Sequence, residues 1–223
     1  MQVFIVYAHP EPQSFNGALL HQAQTTLAQR GHEVTVSDLY ALKFDPTAGR
    51  HDFTTVADPE RFRYQAEQKH AAQHQGFVET IRQEHEKLAA ADVVIFQFPL
   101  WWFGFPAILK GWVDRVLSYG VAYGAPAGGS YKTGPYRGKR AMLSLTTGSA
   151  ELTFVAGGRH GDLNTLLFPI QHGILHFTGM DVLPPFVAWA PQHATDEERQ
   201  RYLALYAHRL KLIDRTPPLY AFR

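Results

Sequence analysis

The chain alternates between two hydrophobic patterns. Runs dominated by β-branched and aromatic residues occupy Val3–Ala8, Asp92–Phe98 and Ala141–Leu145. Such runs, lacking polar alternation, mark strands covered on both faces, as in a parallel sheet. His32–Val36 adds a strand, and Asp181–Trp189 a weaker one because Pro184-Pro185 interrupts it. Between strands the spacing becomes helical. Leu19, Leu20, Ala23 and Leu27 form one stripe, with Gly31 where a C′ glycine belongs. Glu79–Ala90 and Leu163–Phe177 read as helices. Pro106 is placed for position N1 of a helix whose apolar face is Phe105, Ile108, Leu109, Trp112, Val113 and Val116. Thr195-Asp196-Glu197-Glu198 opens the last helix with a capping-box pattern.

Alternating strands and helices of this kind predict an α/β fold, a doubly wound open parallel sheet with helices on both faces. Two segments fit neither pattern. Residues 37–75 are polar and irregular, with Pro46 and Pro59, and predict a long excursion over the sheet. Tyr119–Tyr136 holds Gly128-Gly129-Ser130, two prolines and four tyrosines. With no repeat, low-complexity tract or separating linker, the 223 residues read as a single domain, 1–223.

Composition narrows the function classes. Hydrophobic residues at 45% and charged residues at 18% exclude a disordered or fibrous chain. Lys+Arg number 21 and Asp+Glu 20, so the net charge of +1 offers no field for nucleic acid or an anionic membrane. The absence of cysteine removes disulfides, thiolate metal sites and cysteine nucleophiles. The N-terminus lacks a basic n-region, and the apolar stretch Val93–Val113 is broken by Gln97, Pro99, Gly104, Pro106 and Lys110. A cytoplasmic protein without an integral membrane segment is expected.

In doubly wound sheets, ligands bind beyond the carboxyl ends of the strands. Three of those ends carry distinctive loops. After the first strand come His9, Gln13, Ser14, Phe15, Asn16 and Gly17, with no dinucleotide fingerprint and no Walker A loop. Ser14, Asn16 and free amides at a helix start suit a phosphate, although a plain N-cap also accounts for Ser14. After the third strand come Pro99, Leu100, Trp101, Trp102, Phe103 and Gly104; a flat aromatic ligand suits this wall, and so does a hydrophobic dimer patch. After the fourth come Thr146, Thr147, Gly148 and Ser149, hydroxyls beside a glycine that lets backbone approach a ring edge. Together, phosphate site, aromatic wall and hydrogen-bonding edge suggest a flavin nucleotide.

The segments His9…Gln13-Ser14-Phe15-Asn16, Val94–Gly104, Pro106–Trp112, Leu145–Gly148, His160-Gly161-Asp162 and Gly173–Phe177 resemble the NAD(P)H:quinone oxidoreductase (DT-diaphorase) family of flavodoxin-like flavoenzymes. The likeness runs in order from Val3 to about Leu219. It implies an FAD-containing homodimer with active sites at the interface, where NAD(P)H and a quinone alternate and electrons pass in pairs as hydride. His9, Gln13, Ser14, Phe15 and Asn16 would then hold the pyrophosphate region. Pro99, Leu100, Trp101, Trp102, Phe103, Thr146, Thr147, Gly148 and Ser149 would border the flavin ring, with Arg63 and Arg199 towards the adenine end. Trp102, Phe103, Gly148 and His160 would line the substrate pocket, completed by Tyr123 and Phe177 of the partner subunit. His160 would stabilise the negative charge that hydride transfer leaves near N1 and O2 of the flavin.

This chain departs from the pattern in informative places. Phe154 stands where the family has a tyrosine cooperating with the histidine, leaving His160 or a water to manage that charge. Ala125 replaces a pocket tyrosine, and Arg63 an adenine-side glutamine. His172 and His176 match two ligands of a metal site in one family branch, but Tyr220 falls near the place of its cysteine, so no metal is expected. Without the further C-terminal tail of some members, the donor stays open among NADPH, NADH and a smaller dihydronicotinamide riboside. Two other readings remain: a one-electron carrier, which the balanced charge disfavours, and an ancillary subunit of a potassium efflux system. A receiver-type signalling domain is disfavoured because Tyr7-Ala8-His9 brings no acidic cluster for Mg²⁺.

Overall fold

The computed structural model describes residues 1–222. Strands β1 (Gln2–Tyr7), β2 (Glu33–Asp38), β3 (Val93–Pro99), β4 (Arg140–Thr146), β5 (Asp181–Val182) and β6 (Phe186–Ala188) form one parallel sheet. Its order is β2-β1-β3-β4-β5, with β6 also on β4. The expected last strand is therefore two short ones, because Pro184-Pro185 removes consecutive ladder donors between them.

Six helices flank the sheet: α1 (Phe15–Gln29), α2 (Tyr64–His74), α3 (Glu79–Ala90), α4 (Ala107–Val116), α5 (Leu163–Ile170) and α6 (Asp196–Lys211). Side chains alternate across the strands and split the core into two layers. Val3, Ile5, Val93, Ile95 and Met142 pack under α1 and α6, against Leu19, Leu27, Tyr206 and Leu210. Phe4, Val6, Val94, Phe96, Leu143 and Leu145 pack under α3, α4 and α5, against Leu88, Leu109, Trp112 and Leu167. The doubly wound architecture follows directly. Val93–Val113 resolves into a strand, a turn and a helix, and no helix among the described residues is long and apolar enough to cross a membrane.

Helix ends behave largely as the sequence predicts. Gly31 takes φ +73° just past α1. Thr195 and Glu198 form the capping box of α6, with Thr195 N–H donating to Glu198 at 2.7 Å and Glu198 N–H donating to Thr195 at 3.2 Å. Pro106 is the N-cap of α4 rather than its first residue. The helix expected over Leu163–Phe177 changes form: α5 ends at Ile170 and Gln171–His176 continue as a π-helix. Pro169, which has no N–H to donate, lies two residues before the π-helix begins.

The excursion over residues 37–75 is more ordered than its polarity suggests. It contains a 3₁₀ turn at Arg50–Asp52 as well as α2. Fully buried Asp52 ties it down, accepting from Arg115 Nε at 2.9 Å, Arg115 Nη2 at 2.6 Å and the Tyr64 hydroxyl at 2.6 Å. Buried Glu67 accepts the Ala57 N–H at 2.7 Å. These carboxylates have no hydrophobic period, so the pattern passed over them.

Candidate active site

A groove of about 560 Å³ opens beyond the carboxyl ends of β1 and β4, and the loop after β3 lies beside it, with Trp101 next to His9. His9, Gln13, Ser14, Phe15 and Asn16 line one end, Thr146 the floor, and Gln192, Asp196, Arg199, Gln200 and Leu203 the other. The last group comes from α6 and the loop before it. Of these only Arg199 is anticipated by the sequence reading; Gln200 and Leu203, on the same helix, carry no distinctive spacing.

The first loop is built around the start of α1. Ser14 Oγ caps the helix by accepting the Gly17 N–H at 3.2 Å. The loop spends part of its amide supply on itself: Gln13 N–H donates to Glu11 Oε1 at 2.7 Å and Ser14 N–H to the Glu11 carbonyl at 3.1 Å. The amides of Phe15 and Asn16 make no such bond among the described residues and sit at the positive end of the helix dipole. A Cβ at Gly17 would lie 1.9 Å from the Pro12 carbonyl, so glycine is required for the loop to close over the helix. His9 Nδ1 lies 3.0 Å from the Glu11 N–H and 3.1 Å from the Glu11 carbonyl, which fixes the ring on its own loop. Burial lowers the His9 pKa and favours the neutral imidazole.

The aromatic loop after β3 is held in a costly shape. Trp102 and Phe103 take φ +49° and +60°, and Gly104 N–H donates back to the Trp101 carbonyl at 3.0 Å. Two bulky residues in succession occupy a region that normally selects glycine or asparagine. Trp102 is 97% exposed. The shape is fixed from below, where Leu100 N–H donates to the Thr146 carbonyl at 2.8 Å and Pro99 ends β3.

The loops touch one another through aromatic rings. His9 lies 6.3 Å from Trp101 between ring centroids. Phe103 lies 5.6 Å from His160 and 6.4 Å from Phe154. Phe154 is buried, 5.0 Å from His160 and 5.5 Å from Trp189. His160 is held by its own N–H donating to the Thr153 carbonyl at 2.8 Å and by contact of Nε2 with Ser149 Oγ at 3.3 Å. Thr147 Oγ1 donates to the Ser149 carbonyl at 2.7 Å, and Gln192 Nε2 to the Gly148 carbonyl at 3.0 Å. A Cβ at Gly148 would meet only Gln192, at 3.9 Å, so its open side is free for a ligand. Arg199 donates to the carbonyls of Pro191 and Ala194 and pairs with Asp196, which holds the guanidinium at the distal end of the groove.

Other residues singled out by the sequence lie apart from this cluster. Tyr123 and Phe177 sit 5.8 Å apart and line a second cavity of about 500 Å³ with Tyr64, Gln68, Val113 and Ile174. Arg63 is exposed at the start of α2, 3.6 Å from Asp58. His172, His176 and Tyr220 do come together, with ring centroids 5.2–5.3 Å apart. Phe168 stacks on His172 at 4.7 Å and Phe222 on His176 at 4.3 Å, so the imidazole faces are covered by aromatic rings.

One residue of this region drew no functional reading from the sequence although it carried a signal. Gln97 is the lone polar side chain in β3, is fully buried, and donates through Nε2 to Asn16 Oδ1 at 2.7 Å. Asn16 Nδ2 donates in turn to Thr146 Oγ1 at 2.8 Å. The two strand ends and the start of α1 are thus one hydrogen-bonded unit.

A family model described as the flavodoxin-like fold matches residues 1–210. The human ribosyldihydronicotinamide dehydrogenase [quinone] is 46% identical over 219 residues, covering 98% of this chain and 94% of the relative. The guinea pig (Cavia porcellus) NAD(P)H dehydrogenase [quinone] 1 is 45% identical over 220 residues, covering 98% and 79%. A solved structure from Klebsiella pneumoniae, described as that of a quinone reductase, superposes with TM-score 0.94 at 41% identity, covering 98% of this chain and 87% of that one.

Proposed function

The chain belongs to the flavodoxin-like fold family and, within it, to the NAD(P)H:quinone oxidoreductases; on that premise we propose that it is an FAD-containing homodimer reducing quinones with NAD(P)H. The observation that carries the reading is the convergence of three strand-end loops. They set the free amides of α1 and Thr146 on the groove, with the strained aromatic shelf and the rest of the hydroxyl-rich edge beside it. The groove's continuation to Arg199, Gln200 and Leu203 supports a dinucleotide flavin, since the α1 end alone would serve a mononucleotide.

When bound, a flavin would supply two-electron hydride chemistry between NAD(P)H and a quinone. The chain's own residues do the rest. The amides of Phe15 and Asn16 donate to the pyrophosphate, with the side chains of His9, Gln13 and Ser14 around it. Arg199 faces the adenine end, whereas Arg63 lies away from the groove within one chain and is given no role there. Pro99, Leu100, Trp101, Trp102, Phe103, Thr146, Thr147, Gly148 and Ser149 border the ring and exclude water from it. His160 would stabilise negative charge on the reduced ring, and Phe154 packs against the imidazole without a hydroxyl of its own. Trp102, Phe103, Gly148 and His160 form one wall of the pocket in which donor and quinone alternate. Tyr123 and Phe177 supply the opposite wall from the partner subunit, consistent with their lining a separate cavity within one chain.

Steady-state assays with menadione and, in turn, NADPH, NADH and dihydronicotinamide riboside test this reading. Parallel-line kinetics with at least one donor, from a species with the mass of two chains, are expected. A monomer turning over at full rate would overturn the shared-site arrangement, and no turnover with any donor would overturn the activity.

A further inference from the structure

Gln97 is unexplained by packing. Its neighbours along β3 are apolar, the whole strand is buried, and Gln97 itself has no exposed surface. Its Oε1 has no hydrogen-bond partner among the described residues. A buried amide with an unmet acceptor is less favourable than an apolar side chain of similar volume. The sheet therefore gains nothing from a glutamine at this register level, between Tyr7 of β1 and Ser144 of β4.

What Gln97 does make is one directional bond. Its Nε2–H occupies the carbonyl oxygen of Asn16, so the Asn16 amino group is the end turned towards Thr146. Thr146 Oγ1 accepts that bond, and its own hydroxyl proton is left to be donated elsewhere. Thr146 and Asn16 line the groove; Gln97 does not. All three are at least nine-tenths buried, at 0%, 3% and 6% exposure for Gln97, Asn16 and Thr146. Water is therefore poorly placed to reorient the chain.

We propose that Gln97 is a positioning residue for the flavin. By donating to Asn16 it sets the polarity of the Gln97–Asn16–Thr146 chain, so that Thr146 presents its hydroxyl to the cofactor as a donor. The inference deepens the flavin reading above and rests on it.

The test is a double-mutant cycle on flavin binding. FAD is titrated into flavin-free wild type, Gln97→Met, Thr146→Val and the double variant, following fluorescence quenching and the absorption spectrum of the bound flavin. Circular dichroism and thermal unfolding establish that each variant is folded, and Gln97→Leu takes the place of Gln97→Met should that protein fail to fold. Gln97→Met is expected to raise the Kd about five- to tenfold, the worth of one hydrogen bond. Thr146→Val should do the same and shift the bound-flavin spectrum in the same direction. The double variant should bind no worse than Thr146→Val alone, because both changes remove one donor. Wild-type affinity in the Gln97 variant, or losses that multiply in the double variant, would overturn the inference. A wild-type protein that binds neither FAD nor FMN would instead overturn the underlying flavin reading.

Discussion

Replacing Trp102 by glycine should make the flavin-free protein more stable and the enzyme worse. Trp102 holds φ +49° with 97% of its surface exposed, so truncation forfeits almost no burial. A non-glycine residue in the left-handed region costs about 1–2 kcal/mol, which glycine does not incur. Glycine gives back roughly 0.5–1 kcal/mol through the greater freedom of the unfolded chain. The net expectation is a gain of about 0–1.5 kcal/mol, centred near 0.75 kcal/mol. With a urea m-value near 3 kcal/mol/M, the centre of that range moves the midpoint up by roughly 0.25 M. Phe103→Gly should gain less, although φ is +60° there, because that ring packs against Phe154 and His160. Urea unfolding of flavin-free protein is the assay, since bound flavin would add its own stabilisation. In parallel the Trp102 variant should bind FAD or turn over quinone several-fold more weakly, in line with about 0.5–1.5 kcal/mol for a lost aromatic stack. A midpoint that stays put or falls would refute stored strain in the shelf, and unchanged flavin affinity and turnover would refute its purpose.

Three further outcomes follow from particular contacts. Asp52→Ala should lower stability by about 3–5 kcal/mol, because Arg115 would be left buried and unpaired; chemical denaturation reads this, and a loss below about 1 kcal/mol would contradict the anchoring of the excursion. His85 donates to the Val116 carbonyl at 2.8 Å, and burial lowers its pKa from the ordinary 6.5. The unfolded chain therefore takes up a proton before the folded one, so stability is present above 6.5 and is lost as pH falls through the depressed folded value. Urea midpoints across that window should fall more steeply for wild type than for His85→Phe; parallel slopes would contradict this. Phe154→Tyr should speed flavin reduction by NADPH by up to about tenfold in stopped flow, by adding a donor beside His160, and an unchanged rate would contradict the reading that the missing hydroxyl slows this step.

The architecture was legible because buried parallel strands and helical stripes leave strong periodic signals. The three strand-end loops were legible for a second reason, since tryptophans and hydroxyls are conspicuous where chain normally meets water. What stayed hidden was polar and non-periodic. Asp52 and Glu67 order the excursion through single buried carboxylates, and neither has a spacing to announce it. The left-handed backbone of Trp102 and Phe103 was invisible because neither of those two positions holds glycine or asparagine. The distal groove depends on where α6 packs against α1, a tertiary fact that places Gln200 and Leu203 beside Arg199. The split of the last strand and the π-helical end of α5 had visible causes in Pro184-Pro185 and Pro169, whose geometric effects depend on their neighbours.

The most direct measurement is the flavin content of the purified protein. The account predicts a yellow solution that releases one FAD per chain on heating. A colourless polypeptide that acquires no bound flavin from added FAD, or one that carries only FMN, would contradict it.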